Sequence, residues 1–353
     1  MGRDDAWRIG IAGIGLLALA GCMPWDDDDA AKQKVAPGVK AQALAAEKAA
    51  AQQAKVAAAA RVKANELGQI PVLMYHRVVE KVEAPDDLTY QQFRAELERL
   101  AREGYVPITA REYVTGRIDV PAGKHPVVLT FDDSSPAQLA LDGEGNAMPN
   151  TALGILIDVA KRHPGFRPVA TMYVTRDMFG RHTPEERAEY LMWLQDKGFD
   201  IGNHTHNHIN LRGRPKNEVF KEIVAGHRLI IDVIRTPPAT IAVPYGNQPS
   251  TKSWARRGSS GGVSYDYGGV MLAGYTPAPS PFAKDFDPLG IPRIRSFEKK
   301  GDCVRFCSVA WLDWLKQNPD KRYTSDGDVT TVAYPKFKSP FAARAYAKYA
   351  LPY

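Results

Sequence analysis

Cysteine is scarce in this chain: 353 residues hold three, at positions 22, 303 and 307. No histidine follows His227, so nothing near Cys303 and Cys307 is at hand to complete a cysteine–histidine zinc site. Long apolar runs are missing too, and the one stretch of note, Ile9–Leu19, is too short to span a bilayer. The formal net charge is +6, but the basic residues are spread along the chain. They form no cluster interleaved with aromatics, which argues against nucleic acid as a partner and suits at most an anionic cell-wall polymer. No internal repeat stands out.

At the amino terminus Arg3 and Arg8 flank the start of the apolar run, and Leu19-Ala20-Gly21-Cys22 closes it. Charge, short apolar stretch and small residues before a cut describe a secretory signal. The tetrad also resembles the lipobox of bacterial lipoproteins. That implies a signal peptide over residues 1–21 and a membrane anchor through lipidated Cys22. Met23, in place of Asp, implies the outer membrane in a cell that has one. The expected location is the bacterial cell envelope, lipid-anchored, at the outer membrane or periplasmic face if the cell is Gram-negative. In that oxidising space Cys303 and Cys307 form an even pair and predict a disulfide closing a small loop, with two buried free thiols as the alternative. Residues 22–66 carry four consecutive Asp and then mostly Ala, Lys and Gln. These are helix formers with no large apolar stripe, so the segment reads as a tether, partly helical and partly disordered. The missing heptad of Leu, Ile or Val argues against a coiled coil.

Residues 67–353 suffice for one large α/β domain, with a C-terminal extension from about residue 301. Ile70–Tyr75 reads as a first strand ending at His76. Thr89-Tyr90-Gln91-Gln92 is a capping-box pattern opening a helix with Phe93, Leu97 and Leu100 on one face. Further strands are expected over 105–108, 127–131, 170–174 and 199–203, with helices near 110–115, 153–161 and 184–197. That alternation predicts parallel strands with helices outside, closed as a barrel. Residues 259–288, rich in Gly, Tyr, Pro and Ser, read as long loops shaping a groove. Val309, Leu312 and Leu315 stand at helical spacing and read as packing.

The strand Val127–Phe131 runs straight into Asp132 and Asp133, then Ser134, Ser135 and Pro136. Two carboxylates thus arrive at the end of a buried strand, where α/β folds place their sites. Neighbours on a strand point opposite ways, so the pair can serve two tasks only if the backbone turns there; a turn or helix cap is the plainer alternative. Downstream stands His204-Thr205-His206-Asn207-His208. A helical turn puts His204 and His208 on one face, while an extended segment aligns all three histidines, so spacing leaves the pair open. The plainer alternative here is a His-rich surface loop. An ion such as zinc takes about three protein ligands from imidazole nitrogen and carboxylate oxygen and keeps a position open. Asp133 and two of these histidines make such a set, leaving Asp132 to take a proton from water.

Thr130-Phe131-Asp132-Asp133, then His204-Thr205-x-x-His208, then Pro244-Tyr245-Gly246 resembles the ordered motifs of the polysaccharide deacetylases, the NodB-homology domain of carbohydrate esterase family four. The likeness runs from about Ile70 to Arg295. It implies a distorted (β/α) barrel of about seven strands. It implies hydrolysis of N-acetyl groups on an amino-sugar polymer (poly-N-acetylglucosamine, peptidoglycan or chitin-like) by metal-activated water. Asp133, His204 and His208 would then be the metal ligands, Asp132 the general base and the Tyr245 N–H an oxyanion donor. Thr205 would support the loop, and His206 matches no required position. The metal is expected to be divalent, zinc first, with cobalt or nickel as alternatives.

Two positions depart from the family pattern. Ala242 stands where the family has an arginine that orients the base, which leaves Arg293 or Arg295 to supply that charge. The C-terminal Leu-x-x-His carrying the general acid is absent. Tyr75-His76 resembles a subgroup with permuted motif order that acts on poly-β-1,6-N-acetylglucosamine, which implies His76 as the acid; a core or turn histidine is the alternative. Rival readings are a glycan-binding lipoprotein without turnover, a scaffold lipoprotein whose Ala/Lys segment is the working part, and an O-acetyl polysaccharide esterase.

Overall fold

A computed structural model of the chain describes residues 37–298, 300–338 and 340–353. The expected signal peptide, Cys22 and the first part of the expected tether lie outside the described residues. The chain divides into two units, residues 1–49 and 50–353. Helix α1 (Pro37–Arg61) starts in the first and ends in the second. Within the second unit its last turns set Val56 and Ala59 against Ala64, Ala333 and Leu351. Among the described residues no helix is long and apolar enough to cross a membrane.

Eight strands form one parallel sheet: β1 (Val72–Tyr75), β2 (Tyr105–Ile108), β3 (His125–Phe131), β4 (Thr171–Val174), β5 (Asp200–Asn203), β6 (Thr240–Ala242), β7 (Gly269–Met271) and β8 (Ile294–Arg295). Seven of them follow the order β7-β6-β5-β4-β3-β1-β8. The eighth, β2, pairs with the first half of β3, whose last two residues pair with β4. Sheets of this kind are covered on both faces, so their strands are continuous apolar runs; all seven residues of β3 are buried. The sheet curls. Ile291 bridges Met271 and bonds to Val270 and Leu272, and three residues later Ile294 pairs with Leu73. One short segment therefore reaches both ends of the path, and the result is a distorted (β/α) barrel.

Side chains alternate along each strand. Leu73, Tyr75, Leu129, Phe131, Met172 and Val174 pack against helices α2 (Tyr90–Arg102), α4 (Ala152–Arg162) and α5 (Pro184–Asp196). Val72, Val128, Tyr173, Ala242 and Met271 fill the interior with α3 (Ala110–Thr115). The inward series on β3 continues from Val128 through Thr130 to Asp132, and this aims one carboxylate of the pair into the barrel. The helices start where their sequences say: Thr89, Thr109 and Thr183 each close a capping box with the residue three positions on.

Residues 259–288 are not loops alone. Arg257–Ser260 and Val263–Asp266 form an antiparallel hairpin, and β7 follows it. The hairpin turns on Gly261-Gly262, both at positive φ, a two-residue turn signal that the surrounding Gly and Ser obscure. After α6 (Lys216–Ile234) and β8, the C-terminal extension lays α7 (Ser308–Gln317) beside α2 through the ion pairs Arg99–Asp313 and Lys316–Glu103. Cys303 and Cys307 are bonded to each other just before it.

Candidate active site and metal centre

The site gathers at the C-terminal ends of the strands. β3 ends at Phe131, Asp132 still donates its N–H to Tyr75 O (2.9 Å), and then Asp133 and Ser134 take left-handed φ of 73° and 49°. That reversal separates the neighbours: Asp132 stays buried while Asp133 turns to the rim. Buried Gln138 braces the turn by donating to the carbonyls of Asp132 (2.6 Å) and His76 (2.8 Å), joining the ends of β3 and β1.

Inside the barrel Asp132 meets Arg293 in a two-pronged pair, Nη1 to Oδ1 and Nη2 to Oδ2, both 2.6 Å. Arg293 also donates to Thr130 Oγ1 (3.2 Å) and Leu272 O (2.8 Å), and it lies over the Tyr173 ring. A fully buried guanidinium with its forks occupied on several sides is held rigidly. Burial works against an ionised Asp132, but the charges of Arg293 and His204 outweigh it and hold the carboxyl well below its ordinary value. Of the two arginines left open by the sequence, Arg293 reaches Asp132. Arg295 turns outward to Asp86 (2.5 Å) and the Pro85 carbonyl.

The histidine segment is neither helical nor extended, so neither spacing argument describes it. Thr205 and His208 have φ of 65° and 52°, and the chain makes a tight turn. Asn203 starts the turn: its Oδ1 accepts from Thr205 N (2.9 Å) and its Nδ2 donates to Ile223 O and Tyr267 Oη. Glu222 of α6 accepts from the backbone and side chain of Asn207. α6 comes this close because residue 226 is glycine; a Cβ there would sit 2.4 Å from Asn203 Oδ1.

The turn brings His204 Nε2 to 3.3 Å and His208 Nε2 to 3.2 Å from the same oxygen, Asp133 Oδ1. The three ligand atoms lie within 4.8 Å of one another. His204 Nδ1 is 2.8 Å from Ala242 O, so its N–H donates there and Nε2 presents a lone pair to the centre. Two imidazole nitrogens and one carboxylate oxygen, with a backbone carbonyl fixing one tautomer, fit a divalent ion of the zinc type. Half-buried His206 stays outside the set; its carbonyl accepts from Arg176 N.

His76 directly follows β1, half-buried, and it is among the charges that lower both Asp132 and Asp133. Its neighbour Tyr75 donates to buried Glu96 (2.8 Å), as do Ser296 and Ser308, so the extension braces the strand that carries His76. Tyr245 tops the turn after β6 at φ 59°, with its ring 4.8 Å from that of His208. Asp133, Ser134, Thr205, His208 and Tyr245 thus all hold left-handed backbone around one point. Non-glycine residues keep such strain where the surroundings enforce it, and functional sites are the usual place.

The family model for polysaccharide deacetylases matches residues 119–258, a span that includes Asp132, Asp133, His204, His208 and Tyr245. This chain carries a polysaccharide deacetylase domain. The match supports a hydrolase whose reaction is deacetylation of a polysaccharide. No curated protein sequence matches the chain. Among solved structures, the Streptococcus pyogenes deacetylase PplD, in complex with acetate, is 20% identical over 67% of this chain and 96% of its own, with a TM-score of 0.49. IcaB from Ammonifex degensii is 18% identical over 67% of this chain and 95% of its own, TM-score 0.47. The BpsB deacetylase domain from Bordetella bronchiseptica is 15% identical over 65% of this chain and 96% of its own, TM-score 0.44.

Gln138, Glu222 and Gly226 support the candidate site without any sequence signal of their own, being single residues in unremarkable contexts, and Asn203 supports it as well. Asn203 alone carries a hint, a polar residue ending a buried strand just before His204. A groove of about 690 Å³ between α2, α4 and α5, lined by Arg94, Asp158, Lys161 and Trp193, contains none of the site residues.

Proposed function

We propose that this deacetylase removes N-acetyl groups from an amino-sugar polysaccharide of the bacterial envelope, with a divalent metal held by Asp133, His204 and His208. The observation that carries the reading is the convergence of both Nε2 atoms on Asp133 Oδ1 beside a second, buried carboxylate; Asp132 Oδ2 is 4.0 Å from His204 Nε2. Zinc is the first candidate, with cobalt or nickel as alternatives. Poly-N-acetylglucosamine, peptidoglycan and chitin-like polymers are the candidate substrates. The Leu19-Ala20-Gly21-Cys22 tetrad supports anchoring of the mature chain through Cys22.

When bound, the ion supplies a Lewis acid for the acetyl carbonyl and lowers the pKa of water toward about 7. Asp132, kept ionised and oriented by Arg293, takes the proton as water attacks the carbonyl carbon. The Tyr245 N–H donates to the carbonyl oxygen as it gains charge. His76 gives a proton to the amine as the C–N bond breaks, releasing acetate and a free amino sugar. The pair formed by Asp132 and Arg293 answers the departure at Ala242, which favours turnover over glycan binding alone.

Acetate release from N-acetylglucosamine oligomers, compared with an O-acetylated polymer and measured with added zinc, cobalt or nickel, tests the reading. Release only from the O-acetylated polymer would replace it with an esterase. The His204→Ala variant should lose bound metal and acetate release together, measured by elemental analysis and assay; full metal content in that variant would remove His204 from the ligand set. His76→Ala should slow amide hydrolysis by about a hundredfold while sparing an ester whose leaving group needs no proton. Undiminished rates on both substrates would end the assignment of His76 as acid.

A further inference from the structure

A polymer substrate extends beyond a centre built around one acetyl group, and two exposed rings, one of them on the C-terminal extension, follow the C-terminal ends of barrel strands. Tyr275 lies just past the C-terminal end of β7 with 65% of its surface exposed, and Phe306, the last residue of the short helix Cys303–Phe306 after β8, is 44% exposed. Their ring centroids are 6.1 Å apart. Both stand on fixed supports. Trp311 Nε1 donates to the Tyr275 carbonyl at 2.6 Å. Buried Cys303 and Cys307 are bonded to each other, and Val304 and Phe306 between them are held out to solvent. Adjacent exposed rings of this kind are a usual mark of an interaction site.

The backbone that carries Tyr275 packs against the turn that carries Tyr245. Gly246, next to Tyr245, lies so near Ala273 that a Cβ on it would be 2.7 Å from Ala273 N. Tyr275 is two residues further, at most about 7.6 Å of chain. Leu272, three residues before Tyr275, accepts from Arg293. Tyr245, itself 65% exposed, stacks its edge on His208. One exposed ring, Tyr245, therefore stands beside the candidate centre, and a second exposed pair, Tyr275 and Phe306, follows a backbone segment that packs against the same turn. Sugar rings present an apolar face of C–H groups, which suits the electron-rich face of an aromatic ring.

We infer that Tyr275 and Phe306 form a subsite for a sugar neighbouring the one deacetylated, setting preference for polymer over short substrates. The inference rests on the amino-sugar reading above. Its test uses the full chain with Tyr275→Ala and Phe306→Ala, assayed on β-1,4- and β-1,6-linked N-acetylglucosamine hexamers and on a small acetyl ester. Each variant should raise KM for the preferred hexamer on the order of tenfold, the scale of one lost aromatic contact, with kcat and the ester rate unchanged. If the wild type releases acetate from a hexamer and both variants keep its KM, the subsite alone is overturned. If the wild type releases none from any oligomer, the amino-sugar reading falls and the subsite with it. Unchanged KM together with lost co-sedimentation on phosphatidylglycerol vesicles would assign the patch to lipid and overturn the subsite as well.

Discussion

Asp132→Asn should lower turnover by about a hundred- to ten-thousand-fold and leave metal content at the wild-type level. Asparagine keeps the shape but cannot accept the proton from water. The proposed ligand set leaves Asp132 out, because the oxygen that both histidines approach belongs to Asp133. Acetate release and elemental analysis on one preparation separate the two effects. The variant also leaves Arg293 charged and buried without its counter-ion, so its unfolding midpoint should fall. Wild-type turnover in Asp132→Asn would remove this residue as the base, and lost metal would place it among the ligands.

The second large effect is expected at Arg293. Arg293→Ala strands the Asp132 carboxylate in the barrel interior, and breaking a buried pair from one side costs about 3–5 kcal/mol. Arg293→Lys should recover little, because one ammonium cannot supply two parallel N–H bonds to Asp132 and a third to Leu272 O. The pH dependence follows in sign. Asp132 is held below its ordinary value of 3.8, so the pair stabilises the fold at neutral pH. That contribution is lost as pH falls below the ordinary value toward the folded one. Chemical denaturation at pH 7 and at about pH 3, below the ordinary carboxyl value, with acetate release measured at pH 7, checks both claims. The wild type should lose part of its advantage over Arg293→Ala at the lower pH. Equal stability of wild type and Arg293→Ala at pH 7 would show that the pair is dispensable. The double variant carrying Ala242→Arg as well should regain part of the turnover, since the guanidinium would then approach the base from the strand where the family motif has it.

Much of the site was legible because its signals are short-range. Three apolar residues before Thr-Phe-Asp-Asp announce a buried strand with carboxylates at its end, and threonine followed three residues later by Gln or Glu announces a helix start. The limits were equally physical. Periodicity offered two arrangements for His204-Thr205-His206-Asn207-His208, and the chain adopts neither. Asn203, Glu222 and the close approach at Gly226 impose a left-handed turn that no periodic template contains. The hairpin 257–266 was lost among glycines for the opposite reason, since its turn signal resembles the loops around it.

Arginine choice shows the division most clearly. Arg293 and Arg295 stand in one Ile-Pro-Arg-Ile-Arg stretch, with the same charge and Ile294 as a shared neighbour. The amino-acid order by itself determined the strand–helix alternation, the two carboxylates at a strand end and the imidazoles that accompany them, because each depends on residues a few positions apart. Only the tertiary structure decided that Arg293 faces Asp132 across 161 residues of chain while Arg295 leaves for Asp86. That outcome depends on how the sheet closes on itself through Ile291 and Ile294, and closure is a property of all the strands together.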